Sequence, residues 1–339
     1  MDRFKNQVIQ FCVKGEISIY ELIDRQDLSL KEFFYRIGEL EREGIVKVRN
    51  GRVSLNPEVA KEFSVLKEIG DPSCNMCEKT GFQITGYFNK LLKKWKEITK
   101  NRPQAIEKYD QGFISPEGVI RRVQFLYERG DLLDSEIFVM GDDDLLSIAL
   151  ALTKLPKKVQ VVEIDQRLVD FINNISASMG LSLKADIFDA QYVLPDEYKG
   201  KFDVFITDPV ETLPGFKLFI SRATSSLKGK GSTGYLGLTT IEASKRKWFE
   251  IEKIFLDMGL VITDIRRRFS VYPIGDVSFS RYQEKCEVYK RVGVKADCDW
   301  YTSSFIRLEA VKDPKPVVEG TQVIDEKVYK DDESLATPY

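Results

Sequence analysis

Histidine is absent from all 339 residues, so no imidazole can serve as base, nucleophile relay or metal ligand. Proton transfer is left to carboxylates, lysine, tyrosine or cysteine. Five cysteines in a chain of this length make no secreted disulfide framework, which points to a reducing compartment. Cys74 and Cys77 form one C-x-x-C pair, but no second pair follows at ribbon spacing and no histidine could complete the site. They read as free thiols in a turn, and no metal is expected. No run approaches twenty apolar residues, and the Met1-Asp2-Arg3-Phe4 start opens an amphipathic helix rather than a signal peptide, so a cytoplasmic protein is expected. A surplus of one charge is missing too: 51 basic against 53 acidic side chains imply neither a polyanion nor a membrane partner. A high charge content with no histidine and few methionines suits a thermophile.

What is present divides the chain. Over residues 1–65 the apolar spacing predicts helices at 4–13, 19–24 and 30–43, the last opened by the capping box Ser29-Leu30-Lys31-Glu32. Asn50-Gly51 between two short apolar runs predicts a hairpin with a type I′ turn. This is a winged-helix pattern. Basic and acidic side chains are equal in number over residues 1–62, unlike the basic footprint that phosphate contacts need, so a structural or dimerising module is favoured over a DNA reader. Residues 66–108 read as a connector whose helix scatters Lys90, Lys93, Lys94, Lys96, Lys100 and Arg102 around its axis, a solvated face.

From 109 to 311 strands alternate with helices. Strands are predicted at 137–140, 159–164, 202–207 and 232–238, with helices at 116–129, 145–155, 167–179, 216–227 and 244–258. That is an α/β doubly wound, Rossmann-like sheet. Further segments at 261–269, 286–291 and 300–307 add antiparallel C-terminal strands, as class I methyltransferase-like folds carry. Residues 312–339, polar and rich in acid, are expected to be a mobile tail.

Acidic residues stand at the carboxyl ends of successive predicted strands, where open α/β folds bind ligands. Gly141-Asp142-Asp143-Asp144 follows the first, in place of a glycine-rich anion loop. One aspartate there can cap the helix; three point in different directions, and like charges about 6 Å apart repel by ~3 kcal/mol at an effective dielectric of 20. A cation is expected to offset this. Glu163 and Asp165, some twenty residues on, stand at the usual distance for a carboxylate that holds ribose hydroxyls. Asp186 and Ile187 are placed to meet an adenine ring, and Asp208-Pro209-Val210-Glu211 ends the central strand.

These motifs, with Tyr109-Asp110-Gln111-Gly112 and Gly234-Tyr235-Leu236-Gly237, resemble the branched-chain polyamine synthases, also called N4-bis(aminopropyl)spermidine synthases. The resemblance spans roughly residues 109–291. It implies decarboxylated S-adenosylmethionine as co-substrate, no permanently bound cofactor, spermidine as acceptor at its internal nitrogen, two successive aminopropyl transfers and a homodimer. On that reading Gly141, Asp142, Asp144, Glu163, Asp165, Asp186 and Ile187 hold the donor, with the aspartates on its aminopropyl ammonium. Tyr109, Asp110, Gln111 and Tyr235 hold the acceptor. Asp208, Asp143 and Glu211 are the catalytic candidates, Asp208 as the group that accepts or relays the acceptor's proton. Asp110 and the acidic tail would help to enclose the polyamine.

Two other readings stay open. An amino-directed methyltransferase on nucleic acid is suggested by Asp-Pro-x-Glu, though Val210 and Glu211 stand where such a signature stacks a flipped base. A winged-helix DNA-binding regulator with a ligand-sensing domain is the third.

Overall fold

The computed structural model describes residues 2–69, 77, 79–109, 111–275 and 284–336. The amino-terminal unit comprises α1 (Arg3–Cys12), β1 (Ile17–Ser18), α2 (Ile19–Arg25), α3 (Leu30–Arg42), β2 (Val46–Arg49) and β3 (Arg52–Leu55). Its strands form an antiparallel sheet in the order β1-β3-β2. The capping box at Ser29 is closed, with the Ser29 N–H donating to the Glu32 carboxylate at 3.2 Å. Asn50 and Gly51 both take positive φ, 49° and 71°, as a tight hairpin between right-twisted strands requires. A short helix, α4 (Pro57–Glu62), follows.

Helix α5 (Tyr87–Thr99), expected to be part of a connector, belongs to the main core. Phe88, Leu91 and Trp95 are buried there, and the Trp95 indole donates to the Leu145 carbonyl at 3.1 Å. Its lysines stay exposed on the opposite side. Cys77 is buried, and Cys74 lies outside the described residues.

The large sheet contains β4 (Glu136–Met140), β5 (Lys158–Glu163), β6 (Leu183–Ile187), β7 (Val204–Thr207), β8 (Thr233–Leu238), β9 (Leu260–Tyr272) and β10 (Tyr301–Ala310). Their order is β6-β5-β4-β7-β8-β10-β9, parallel except for β10, which runs antiparallel to both neighbours. One face packs on α5, α6 (Pro116–Arg129), α7 (Leu146–Leu152) and α8 (Gln166–Met179). The other packs on α9 (Leu213–Ser225) and α10 (Lys245–Met258). Strands β4, β5 and β7 are buried on both faces, which is why they read as continuous apolar runs. Strand order reverses between β4 and β7, and this switch point opens a crevice at their carboxyl ends.

Two expectations change. Residues 286–291 form no strand: β10 already has a partner on each side, and α11 (Glu287–Val292) instead sends Val288 into the amino-terminal core. The terminal segment, expected to be mobile, is laid across both units. The Arg222 guanidinium donates to the carbonyls of Ala190 (3.0 Å) and Gly320 (2.7 Å). The Thr212 hydroxyl donates to the Val328 carbonyl at 2.5 Å, beside α12 (Glu326–Tyr329). Leu335 and Ala336 are buried against the amino-terminal unit. Enough apolar side chains are interspersed among the acids to anchor the segment.

The amino-terminal unit shares its core with segments that flank the large sheet's strands through Ile241, Trp300, Cys286 and Val288. Asp24 sits at the junction, accepting from Thr302 Oγ1 at 3.1 Å and pairing with Arg268. Among the described residues no helix is long and apolar enough to cross a membrane.

Candidate active site

A cavity of about 210 Å³ opens at the carboxyl ends of β4, β5, β7 and β8, roofed by the terminal segment. Six carboxylates line it: Asp143, Glu163, Asp189, Asp208, Glu211 and Glu242. Tyr109, Tyr272, Tyr301 and Tyr329 supply aromatic wall, and Ile324 and Ala336 come from the roof. Carboxylates paired with aromatic faces suit an elongated cation, whose ammonium groups take ion pairs while the methylenes rest on rings.

The Gly141–Asp144 turn divides its three aspartates. Gly141 takes φ 72° and lines the cavity. Asp142 is buried and turned away, accepting from the Ser147 hydroxyl at 2.5 Å and the Ser147 N–H at 3.2 Å. It ties down the start of α7 and, against expectation, does not line the cavity. Burial pushes its carboxyl up to about 8 against the lowering effect of the Ser147 bonds, with Asp144 and Glu163 adding to the rise. Asp143 faces the cavity and accepts the Gly112 N–H at 3.0 Å. Burial first, then the charges of Asp144, Glu163 and Asp208, hold its carboxyl well above the usual range, against the pull of Arg102. Asp144 lies beneath, accepting the Ile114 N–H at 2.8 Å, and burial raises it to about 6 although Arg122 pulls it down. The fifth residue of the turn, Leu145, is buried in the left-handed region at φ 56°, strain that the surrounding packing must sustain.

Glu163 ends β5 with both oxygens occupied by backbone donors, Asp142 N–H at 2.8 Å and Asp165 N–H at 2.9 Å. Their remaining lone pairs face the cavity, where ribose hydroxyls could donate. Asp165 does not line the cavity. It caps α8 through the Arg167 N–H and accepts from Gln111 Nε2 at 3.0 Å, which brings Gln111 to the wall. The Arg167 and Gln111 bonds lower its carboxyl despite partial burial.

Three expected contacts are displaced. Asp186 turns away, bonded to Tyr198 Oη (2.7 Å), Gln160 Nε2 (2.9 Å) and Lys184 Nζ (2.9 Å). Ile187 is exposed and outside the cavity; the residues that follow the end of β6, Phe188, Asp189 and Ala190, line it instead. Tyr235 is fully buried on the opposite face of the sheet, stacked on Phe305 and donating to Asp131 at 2.5 Å. Tyr109 lines the cavity, and Asp110 lies outside the described residues.

Sequence reasoning missed Arg122, Glu242 and the tyrosine pair of the antiparallel strands. Arg122 is fully buried on α6, with Nη1 2.5 Å from Asp208 Oδ2 and 3.6 Å from Asp144 Oδ2. Its signal was available: it stands three residues after Val119 and four before Leu126, a charge on an apolar helical face. Asp208 also accepts the Gly237 N–H at 2.8 Å, and a Cβ at Gly237 would run into that carboxylate. Glu242 accepts from Tyr301 Oη at 2.8 Å and from the Ala336 N–H at 2.7 Å. Nothing in its local sequence marks it.

Comparison with known proteins places this geometry. A model of the branched-chain polyamine synthase A C-terminal domain matches residues 90–336. An N(4)-bis(aminopropyl)spermidine synthase of Methanocaldococcus jannaschii is 41% identical over 305 residues, 88% of this chain and 85% of that one. One from Thermococcus kodakarensis is 35% identical over 333 residues, 96% and 93% of the two chains. The crystal structure of the branched-chain polyamine synthase from Thermus thermophilus, in complex with N4-aminopropylspermidine and 5′-methylthioadenosine, superposes with a TM-score of 0.84 at 31% identity, covering 99% of this chain and 93% of that one. The chain belongs to the branched-chain polyamine synthase family.

Proposed function

We propose that the protein transfers aminopropyl groups from decarboxylated S-adenosylmethionine to the internal nitrogen of spermidine, giving first N4-aminopropylspermidine and then N4-bis(aminopropyl)spermidine. The co-substrate is consumed as methylthioadenosine, and no resident cofactor is needed. The carrying observation is the cavity's ring of carboxylates, Asp143, Asp208, Glu211 and Glu242 among them, on a nucleotide-binding crevice.

Donor recognition divides between two ends. Glu163 takes the ribose hydroxyls, with Phe188 and Asp189 on the adenine side in the place first assigned to Asp186 and Ile187. The aminopropyl ammonium falls within reach of Asp143. A carboxylate on the intact methionine portion would meet the same negative surface, so the choice of donor is electrostatic.

The acceptor lies among the remaining acids and the tyrosines. Spermidine is a trication near neutrality, so its internal nitrogen must lose a proton before its lone pair attacks the carbon beside sulfur. The carbon–sulfur bond then breaks with its electrons moving to sulfur. Asp208, assisted by Glu211 and by Asp143, receives or relays that proton, and general-base action of this kind contributes about 10²–10⁴-fold. The tertiary product, once deprotonated, still has a lone pair for the second transfer. Gln111 and Tyr109 bound the site from the loop before α6.

The amino-terminal unit is read as a winged helix serving structure. The first turn of α3, which in a DNA reader would meet base edges, is docked instead: Leu30 N–H donates to the Ile241 carbonyl at 2.6 Å, and Lys31 pairs with Asp332. A homodimer is the expected assembly, which light scattering tests. The activity is tested by incubating the protein with spermidine and either decarboxylated or intact S-adenosylmethionine and weighing the products. Mass gains of one and two aminopropyl groups from the decarboxylated donor alone are expected; methylation of any acceptor would favour the methyltransferase reading.

A further inference from the structure

The guanidinium of Arg122 lies beneath the cavity between two of its carboxylates. Nη1 reaches Asp208 Oδ2 at 2.5 Å and Asp144 Oδ2 at 3.6 Å, Nε donates to Ser270 Oγ at 3.0 Å, and the Phe305 ring sits 4.7 Å from the guanidinium carbon. All of these partners belong to different elements: the β7 end, the turn after β4, β9 and β10. Arg122 is itself fully buried, while the Asp208 side chain remains 30% exposed to the cavity. Asp208 is thus gripped from behind on one oxygen by Arg122 and on the other by the Gly237 N–H at 2.8 Å. Its uncommitted lone pairs are left to the cavity.

A carboxylate so close to Asp143 and Asp144 would otherwise be driven to turn out, because like charges in a shared site repel. A planar, permanently charged fork anchored by a hydroxyl and a ring face is suited to prevent this. We propose that Arg122 is a positioning residue, which holds Asp208 aimed at the acceptor's internal nitrogen, and so sets acceptor binding and the rate of transfer without touching substrate. The proposal rests on Asp208 acting on the acceptor, as read above.

The test compares Arg122→Met, Arg122→Lys, Asp208→Asn and the double variant Arg122→Met/Asp208→Asn, reading KM for spermidine, kcat and affinity for methylthioadenosine. Arg122→Met should lower kcat/KM for spermidine on the order of 10²-fold, with methylthioadenosine affinity within about threefold of the parent. Arg122→Lys keeps the charge but not the fork, and should restore part but not all of the rate. Added to Asp208→Asn, the Met substitution should cost less than threefold more, because its effect runs through that carboxylate. A Met variant with parental kcat/KM for spermidine, or a Met effect undiminished in the Asn background, overturns the role of Arg122. If Arg122→Met does not fold, the Lys variant with intact methylthioadenosine binding but parental kcat and spermidine KM overturns it alone. Full activity of Asp208→Asn would instead remove the reading of Asp208, a separate failure.

Discussion

The Ala336 backbone N–H donates to Glu242 Oε1 at 2.7 Å, joining the terminal segment to a carboxylate of the cavity wall. Around it, Lys247 Nζ donates to the Glu242 carbonyl at 2.8 Å and pairs with Asp331 at 2.8 Å, while the Ser244 N–H donates to Glu333 at 2.7 Å. Asp331 and Glu333 are therefore committed to protein partners, and the segment lines the cavity with Ile324, Tyr329 and Ala336.

Removing residues 323–336 opens the cavity roof without cutting β10. The spermidine KM should rise about tenfold or more, since a flexible polyamine loses enclosing contacts and must bind from a wetter site. Steady-state kinetics with varied spermidine check this, and unchanged constants would remove the enclosing role.

Asp142 and Asp143 are adjacent in sequence and opposite in placement. Because burial leaves Asp142 largely protonated at neutrality and its partner is Ser147, Asp142→Asn should keep most activity and methylthioadenosine affinity. Asp143→Asn removes a cavity carboxylate and should cut kcat/KM for the donor by about 10²-fold, the usual scale for losing a charged hydrogen-bonding partner. Equal losses in the two variants would contradict the division.

That division shows what a sequence can carry. The alternation of strands and helices, the strands at 261–269 and 300–307 and the hairpin at Asn50-Gly51 were legible because burial and turn geometry leave local patterns of period and composition. Placement of acids at strand ends was legible for the same reason. Direction was not: whether Asp142, Asp143 or Asp144 faces the cavity depends on the φ values of Gly141 and Leu145 and on Ser147 five residues away. Asp186 and Ile187 stand within β6, whereas the cavity is lined by residues 188–190 that follow it. Arg122 and Glu242 are paired with residues 86 and 94 positions distant, contacts that no local pattern encodes.

Stability should depend on pH through the same cluster. Asp142 and Asp144 have their carboxyls raised to about 8 and about 6, and Asp143 is raised too, so the native state binds protons that the unfolded chain, near 3.8, has released. A raised carboxyl destabilises progressively as pH climbs from about 4 through the native values. Asp165 and Asp186, lowered by their partners, add stability that is lost at lower pH. Thermal unfolding of the free protein should therefore occur at a lower temperature at pH 8.5 than at pH 6. Saturating spermidine should narrow that difference, because a bound cation favours the ionised carboxylates. A melting temperature that rises over this interval would contradict the assignment.

Tyr235, despite its place in a motif of the family resemblance, is buried and does not line the cavity. Its hydroxyl and the Arg307 guanidinium both donate to Asp131, at 2.5 Å and 2.7 Å. Tyr235→Phe should lower stability by about 1–3 kcal/mol through the lost buried bond, with KM values for both substrates unchanged. Denaturant unfolding and kinetics on one preparation decide it; a raised spermidine KM at parental stability would return Tyr235 to the site.

Asp208 carries the strongest chemical expectation, because a buried guanidinium holds one of its oxygens and the Gly237 N–H the other while its side chain stays open to the cavity. Asparagine preserves its shape and can still accept from one of Arg122 or Gly237, but it cannot take a proton or balance the acceptor's charge. Transfer in Asp208→Asn should fall by about 10²–10⁴-fold while methylthioadenosine binds as before, since the proposed reading seats the nucleoside on Glu163 and residues 188–190 of the cavity wall. Single-turnover measurement with preformed donor complex separates the chemical step from acceptor binding, and a parental single-turnover rate would show that the proton leaves by another route. The second transfer should suffer at least as much as the first, because the tertiary amine brings one more ammonium-bearing arm into the same carboxylate ring and must lose its proton there before the quaternary product can form.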